Sequence, residues 1–308
     1  MRVFYGLDKI NTIPNPVITT GSFDGVHLGH RTIISRINAL AQKSGGESVL
    51  ITFDPHPRKV LYPKTIGKEL RLITTLNEKI ELLKSVGLQN LVVIHFTPEF
   101  SQMSSVDFIR EILVGNLHAH KVVVGFNHQF GHNREGNFEY LYELGQFYGF
   151  GVEEIPEQDI DNETVSSTKI RSALSQGRIQ RANAYLDHYY FISAKLIKGN
   201  EVMSRLDFPS YRLLINDEIK LVPPVGVYAI SIQHEGQLLK GMLNIRPGTD
   251  SVIPRVDFHL FSKPERLDLS EVKVCFHKRI RDEMDFSSQA ALRKQLTRDR
   301  NEITDLIY

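Results

Sequence analysis

The chain has 308 residues, room for about two domains of ordinary size. Apolar residues make up 41% and charged residues 24%, a globular balance, and a formal net charge of +1 gives no reason to expect nucleic acid as a partner. No apolar run reaches the ~20 residues of a spanning helix, the start Met1-Arg2-Val3-Phe4-Tyr5-Gly6 is too short for a signal peptide, and the lone Cys275 excludes an intramolecular disulfide; the expectation is a cytoplasmic protein with no membrane partner and no resident metal.

The first element is a β-branched run, Val17-Ile18-Thr19-Thr20, which predicts a buried strand. Ile33, Ile34, Ile37, Leu40 and Ala41 follow at helical spacing. The turn between them carries Gly21, Ser22, Phe23, Asp24, Gly25, His27, Gly29 and His30. A glycine-punctuated turn at a helix start offers free N–H groups and the positive end of the helix dipole to an anion. His27 and His30 lie near one face of the first helical turn, where both can donate hydrogen bonds to a phosphate whose charge grows during attack.

Ser48–Phe53 reads as a second strand, and Phe53-Asp54-Pro55-His56-Pro57-Arg58 leaves it directly. Ligands of doubly wound sheets bind at the carboxyl ends of strands, so Pro55, His56, Pro57 and Arg58 are candidates for phosphate or a phosphorylated tail. Thr75 and Glu78 form a capping-box pattern before Ile80, Leu83 and Val86, and Gly87 stops that helix. Leu91–Ile94 is a third strand, Phe108–Leu113 a helix, Val122–Val124 a fourth strand, and Phe138–Tyr148 a further helix. Asn127 and Arg134 sit in the glycine-rich stretch after the fourth strand. Ser166, Ser167, Thr168, Lys169 and Arg171 open another helix, and hydroxyls with a guanidinium there suit phosphate. Continuous apolar strands separated by helices predict a parallel sheet covered on both faces.

From about Tyr189 the texture changes to short strands broken by Pro and Gly, at 191–196, 227–232, 237–243, 256–261 and 272–276. This pattern predicts an antiparallel barrel or sandwich, closed by a helix from Ser287 or Ser288 to about Leu306. The expected domains are residues 1–186 and 187–308.

The string Thr20–His30 resembles the first motif of the bacterial bifunctional riboflavin kinase/FMN adenylyltransferase family, one of the H-x-G-H nucleotidylyltransferases. The stretch 53–58 is similar to the family's T-F-x-P-H-P, 124–136 to the stretch that closes over nucleotide and flavin, and 166–171 to S-S-T-x-I-R. The resemblance implies a Rossmann-like domain followed by a six-stranded antiparallel riboflavin-kinase-like barrel with a C-terminal helix. It implies an FMN adenylyltransferase using Mg²⁺ and ATP, with FMN as substrate and FAD as product. In that reading His27, His30 and Arg171 are catalytic. Gly21, Ser22, Phe23, Asp24, Gly25, Gly29, Asn127, Ser166, Ser167 and Thr168 bind ATP, and Pro55, His56, Pro57 and Arg58 bind flavin. Pyrophosphate leaves against Arg171, Ser166 and Ser167.

The second half resembles the kinase barrel in Gly226-Val227-Tyr228-Ala229, Gly241–Ile245 and Arg279–Glu283, but departs from it at the positions of its chemistry. Two phosphate-loop glycines fall on Met203 and Asp207. The family's Thr and Asn, which serve Mg²⁺ and ATP, fall on Ser210 and Arg212, and its catalytic Glu falls on Asp257. Arginine has no lone pair to offer a metal. The loop N-I-G-x-R-P-T is shortened to Asn244–Thr249. Three readings stand: an FMN adenylyltransferase with a weak or inactive kinase module, a fully bifunctional enzyme using Ser210 and Asp257, and a flavin-binding regulatory paralogue.

Overall fold

The structure is a computed structural model and describes residues 1–7, 10, 13–126, 129–156, 159–160, 163–199, 208–215, 217–248, 254–262 and 271–307. Internal packing divides the chain into two units, Met1–Ser167 and Thr168–Tyr308.

The first unit is built on six parallel strands: β1 (Arg2–Tyr5), β2 (Val17–Thr20), β3 (Ser48–Asp54), β4 (Asn90–His95), β5 (Lys121–Gly125) and β6 (Gly151–Ile155). Their order is β1-β4-β3-β2-β5-β6. The chain lays β3 and β4 on one side of β2 and then crosses to lay β5 and β6 on the other. β2 and β5 therefore flank a topological switch point, the place where open α/β sheets form a ligand crevice at their carboxyl edge. The middle strands are buried on both faces, which is why they read as unbroken apolar runs. The expected strands after the first each extend by one or two residues. Pattern reading left out β1 and β6, the two edges. Both are only partly buried, and β6 carries Glu153 and Glu154, so neither has the hydrophobic run of a central strand.

Helix α1 (Leu28–Lys43) packs Ile34, Ile37 and Ala41 inward. Short helices α2 (Pro57–Leu61) and α3 (Ile66–Glu69) follow β3, and were not anticipated. Helix α4 (Leu76–Ser85) starts with the expected capping box, Thr75 and Glu78 each closing on the other's backbone N–H. After it come α5 (Ser105–Asp107), continuous with a wider π-type turn over Phe108–Asn116, and α6 (Phe138–Tyr148). Two short strands, β7 (Asp159–Ile160) and β8 (Glu163–Thr164), pair antiparallel.

The second unit holds α7 (Ser167–Ser175, its first residue belonging to the first unit), α8 (Ile179–Leu186) and a closed six-stranded barrel. The barrel strands are β9 (Phe191–Lys198), β10 (Ser210–Leu214), β11 (Gly226–His234), β12 (Gln237–Arg246), β13 (Arg255–Leu260) and β14 (Val272–Arg281). All neighbours run antiparallel, and β9 closes the ring by pairing with both β10 and β14. The strand without a sequence signal was β10, where Ser210, Tyr211 and Arg212 break the apolar alternation. The C-terminal helix α9 (Gln289–Leu306) starts at Ser288, whose hydroxyl accepts from the Ala291 N–H at 3.2 Å. It packs Leu296 and Ile303 against Val227, Ala229 and Met242. No helix among the described residues is long and apolar enough to cross a membrane.

Candidate active site

The turn from β2 into α1 is held open by contacts from distant sequence. Asp24, buried, accepts from Ile73 N–H at 3.1 Å, Thr74 N–H at 3.0 Å and the Thr74 hydroxyl at 3.2 Å. The same Thr74 oxygen accepts from Gly25 N–H at 3.1 Å. Gly25 takes φ +86°, while Phe23 and Val26 are forced to +46° and +42°. For a β-branched valine this is a genuine outlier. Such strain costs on the order of 1–3 kcal/mol per residue and persists only where the surroundings over-determine it. Gly21 is needed for close approach, since a Cβ there would lie 3.1 Å from the Phe23 ring.

His27 caps α1 from outside and His30 lies in its first turn. Their rings stack with centroids 3.6 Å apart, and Phe23 stacks on the far side of His30 at 4.3 Å. Burial, then His27, then the ammonium of Lys79 push the His30 pKa well below its usual value. His30 is therefore neutral near pH 7, as two rings in contact require, because a second positive charge would be repelled. His30 Nδ1 has no hydrogen-bond partner among the described residues. The pair stands at the positive end of a 16-residue helix whose first N–H groups have no intrahelical acceptor. The arrangement can meet an anion with neutral N–H donors.

Beside this turn, at the carboxyl edge of the sheet, lies a cavity of about 550 Å³. Thr20, Gly21 and Ser22 form one wall and His56, Pro57 and Arg58 another. His56 is mostly buried and its Nδ1 accepts from Arg58 N–H at 3.2 Å, capping α2. Pro55 is exposed and not part of the wall. The segment Gln129–Arg134 forms a third wall, tied down by His132 N–H to the Met103 carbonyl at 2.9 Å. Asn127 lies outside the described residues. Sequence reading missed an aromatic wall of Phe53, Phe96 and Phe100, which meet edge-on or tilted at centroid distances of 5.5 to 6.0 Å. Phe96 and Phe100 follow β4, so the carboxyl-edge rule already applied to β3 would have found them.

The hydroxyl-rich helix start divides between the units. Ser167 donates to the Asp24 carbonyl at 2.9 Å, which brings it to the histidine turn, and Ser166 is half-buried beside it. Thr168 and Arg171 belong to the second unit, where Ile170, Ala173 and Leu174 bury the inner face of α7. Asp24 differs from its expected role in one respect: its carboxylate faces inward and ties the turn to residues 73–74. Gly29 leaves its helical neighbours open, with the His27 ring 3.4 Å from where a Cβ would stand.

In the barrel a second cavity, about 210 Å³, has Ser210, Asn244, Asp257 and His259 in its wall. Arg212 on β10 lies opposite Asp257 on β13. Its Nε donates to Asp257 Oδ1 at 2.9 Å, and Arg255 Nε donates to Oδ2 at 2.6 Å. Both oxygens of the carboxylate are thus taken by guanidinium groups. Burial pushes the His259 pKa down to about 4, against the upward pull of hydrogen bonds at Phe208 and Pro209 and the charge of Asp257. Met203 and Asp207 lie outside the described residues, as does Thr249.

A parallel sheet that presents a stacked histidine pair at a helix start, joined to a closed antiparallel barrel, defines a nucleotidyl-transferring α/β unit with an appended β-barrel. The family model described as FAD synthetase matches residues 9–169 and that described as riboflavin kinase matches 186–307. The chain belongs to the bifunctional riboflavin kinase/FMN adenylyltransferase family. Proteins of that name from Buchnera aphidicola of Acyrthosiphon pisum and from Listeria monocytogenes are 31% and 30% identical, over 97% and 92% of this chain and 96% and 90% of theirs. The Escherichia coli K12 protein is 28% identical over 97% of this chain and 96% of its own. A crystal structure titled as a macrolide-efflux protein from Streptococcus pneumoniae superposes with a TM-score of 0.87 at 24% identity, covering 99% of each chain, and shares the fold.

Proposed function

We propose that the chain makes FAD by transferring the adenylyl group of Mg·ATP to FMN, and that its barrel has lost most or all riboflavin kinase activity. The observation that carries the first part is the stacked His27–His30 pair at the start of α1 beside a cavity with an aromatic wall. A phosphate oxygen of FMN attacks the α-phosphorus of ATP. The bond from that phosphorus to the bridging oxygen breaks, and pyrophosphate leaves with the electron pair. No covalent intermediate on the protein is needed, so its work is positioning and charge stabilisation. His27 and His30 donate to the α-phosphate oxygens as negative charge gathers there. Ser22, Phe23 and the glycines 21, 25 and 29 let backbone N–H groups approach the nucleotide. Ser166, Ser167, Thr168 and Arg171 hold the departing pyrophosphate, and Asn127 contacts the nucleotide. His56, Pro57 and Arg58 serve the flavin side, where the aromatic wall suits a flat ring; Pro55 lies outside that wall. Magnesium arrives with ATP as part of the substrate. Residues 1–186 form this module and 187–308 the kinase-derived one, in the cytoplasm.

The second part rests on Asp257. Both oxygens of its carboxylate are occupied by Arg212 and Arg255, which leaves neither free to take a proton from a substrate hydroxyl. Among the described residues the carboxylates of that cavity wall, Asp257 and Glu283, are both paired with guanidinium groups, a donor set that does not fit a divalent cation. The test is incubation of the purified chain with Mg·ATP and FMN, followed by separation of the flavins. FAD and pyrophosphate form in equal amounts if the reading holds; folded protein that yields no FAD sinks it.

A further inference from the structure

Lys79 stands on α4, more than fifty positions after the histidine turn, and is almost fully buried. No part of the adenylyl-transfer scheme above uses it. Its ammonium donates to the Ser22 carbonyl at 2.7 Å and reaches the Thr52 oxygen at 3.4 Å. The Thr52 hydroxyl, also fully buried, donates to the same Ser22 carbonyl at 3.2 Å. Two donors from separate elements, α4 and β3, thus fix one carbonyl in the middle of a strained turn.

The peptide from Ser22 to Phe23 is planar and trans, so its N–H points opposite to its C=O. With the carbonyl pulled toward Lys79 and Thr52, the Phe23 N–H is turned the other way. That N–H has no acceptor among the described residues, although Phe23 itself is buried. A backbone donor without a protein partner is free to meet a ligand, and this one lies in the turn between Ser22, which lines the cavity, and Phe23, whose ring stacks on His30. Burying a lysine is costly unless it is paired. Asp24 on the turn and Asp54 at the end of β3 are the carboxylates that oppose that cost, while burial lowers the Lys79 pKa. The titratable groups that act on it are Asp24, Asp54 and, as a neutral ring, His30.

We infer that Lys79 is a positioning residue for adenylyl transfer: with Thr52 it locks the Ser22–Phe23 peptide so that the Phe23 N–H meets the nucleotide phosphate, and it keeps a fixed positive charge behind the histidine pair. The inference rests on the adenylyltransferase reading of this site. It asks nothing of Lys79 as a substrate contact, because the ammonium is enclosed by protein.

The experiment compares the full-length wild type with Lys79→Met, Lys79→Arg and Thr52→Val. Each is assayed for FAD formation from FMN and Mg·ATP, and the His30 ring is titrated by NMR. Lys79→Met should lower kcat by about tenfold or more, short of the loss for a donor that touches the reacting phosphate, with KM for FMN within about threefold because the flavin walls are untouched. It should also raise the pH at which His30 titrates, since a neighbouring positive charge is gone. Lys79→Arg should keep His30 titrating near its wild-type position and recover part of kcat. Thr52→Val removes one of the two donors, keeps the charge, and should lower kcat by a smaller factor without moving the His30 titration. If Lys79→Met fails to fold, the Arg and Val variants still decide: unchanged kcat in both overturns the inference. Unchanged kcat and an unmoved His30 titration in folded Lys79→Met overturn it as well. A wild type that makes no FAD refutes the adenylyltransferase reading instead, and is distinguished by failing before any variant is compared.

Discussion

The two units differ in what their polar side chains are arranged to do. In the first, strained backbone, buried charge and a stacked histidine pair all converge on one turn. Val26 is held at φ +42° and Asp24 spends three hydrogen bonds to keep the turn in place. Strain of that kind persists only where the surrounding contacts over-determine it. In the second, the barrel closes, its strands alternate and its helix docks, and the Asp257 carboxylate in its cavity wall is paired with Arg212 and Arg255. Fold is carried by many replaceable contacts, whereas chemistry rests on a few atoms. A domain can therefore lose the second and keep the first.

The sharpest way to test that the barrel is still held as a fold is its buried ion pair. Asp299 on α9 is 2% exposed and receives Arg281 through two nitrogens at 3.0 and 2.7 Å. Asp299→Asn removes the charge that Arg281 binds, while Arg281 keeps its bond to the Asp282 carbonyl, and should cost about 1–3 kcal/mol in denaturant unfolding. A loss well below about 1 kcal/mol would mean that α9 is held by its apolar face and not by this ion pair.

His30→Ala probes the other side of the comparison. It should reduce FMN adenylylation by about a hundredfold to a thousandfold, the range for one lost transition-state donor, with KM for FMN little changed. Turnover equal to wild type would reduce the histidine stack to a helix cap.

The barrel's own buried histidine gives a smaller, pH-dependent effect. His259 is depressed to about 4 from its ordinary 6.5. The unfolded chain therefore binds the extra proton first, and the contribution of a neutral His259 is present above pH 6.5 and lost as pH falls toward 4. The difference amounts to roughly 3 kcal/mol over that window. His259→Asn should flatten this part of the stability profile; an unaltered slope between pH 6.5 and 4 would count against burial of a neutral ring.

Single kinase reversions should do least. Arg212→Asn leaves Asp257 paired with Arg255, so its effect on riboflavin phosphorylation should be within about twofold, because groups that share a site act as a unit. Restoring glycine at 203 and 207, threonine at 210, asparagine at 212 and glutamate at 257 together should raise kinase activity well above that. If the combined variant stays inactive while binding riboflavin, the shortened loop from Asn244 becomes the next cause to examine.

Most of this was readable in the residues, for reasons that differ by element. The central strands announced themselves because burial on both faces leaves only apolar runs. The capping box of α4 and Ser288 at α9 were legible because caps are local chemistry. Edge strands β1 and β6 and barrel strand β10 were hidden because their side chains answer to solvent or to a polar cavity rather than to the core. At the site, His27 and His30 are three residues apart and could be paired from spacing alone. Lys79 and Thr52 could not, because only the fold brings β3 and α4 to the back of Ser22. The Arg212–Asp257–Arg255 cluster was partly visible: Arg212 and Asp257 stood out against the family pattern, while Arg255 carried no sequence signal and the Arg212–Asp257 pair needed the register of β10 on β13.

The most direct measurement sets the two units against each other in one preparation of the full-length protein. Mg·ATP is supplied with FMN in one vessel and riboflavin in another, and the flavins are separated over time. The account predicts steady conversion of FMN to FAD and little or no FMN or FAD from riboflavin. Absence of FAD in the first vessel, or rapid phosphorylation of riboflavin in the second, would contradict it.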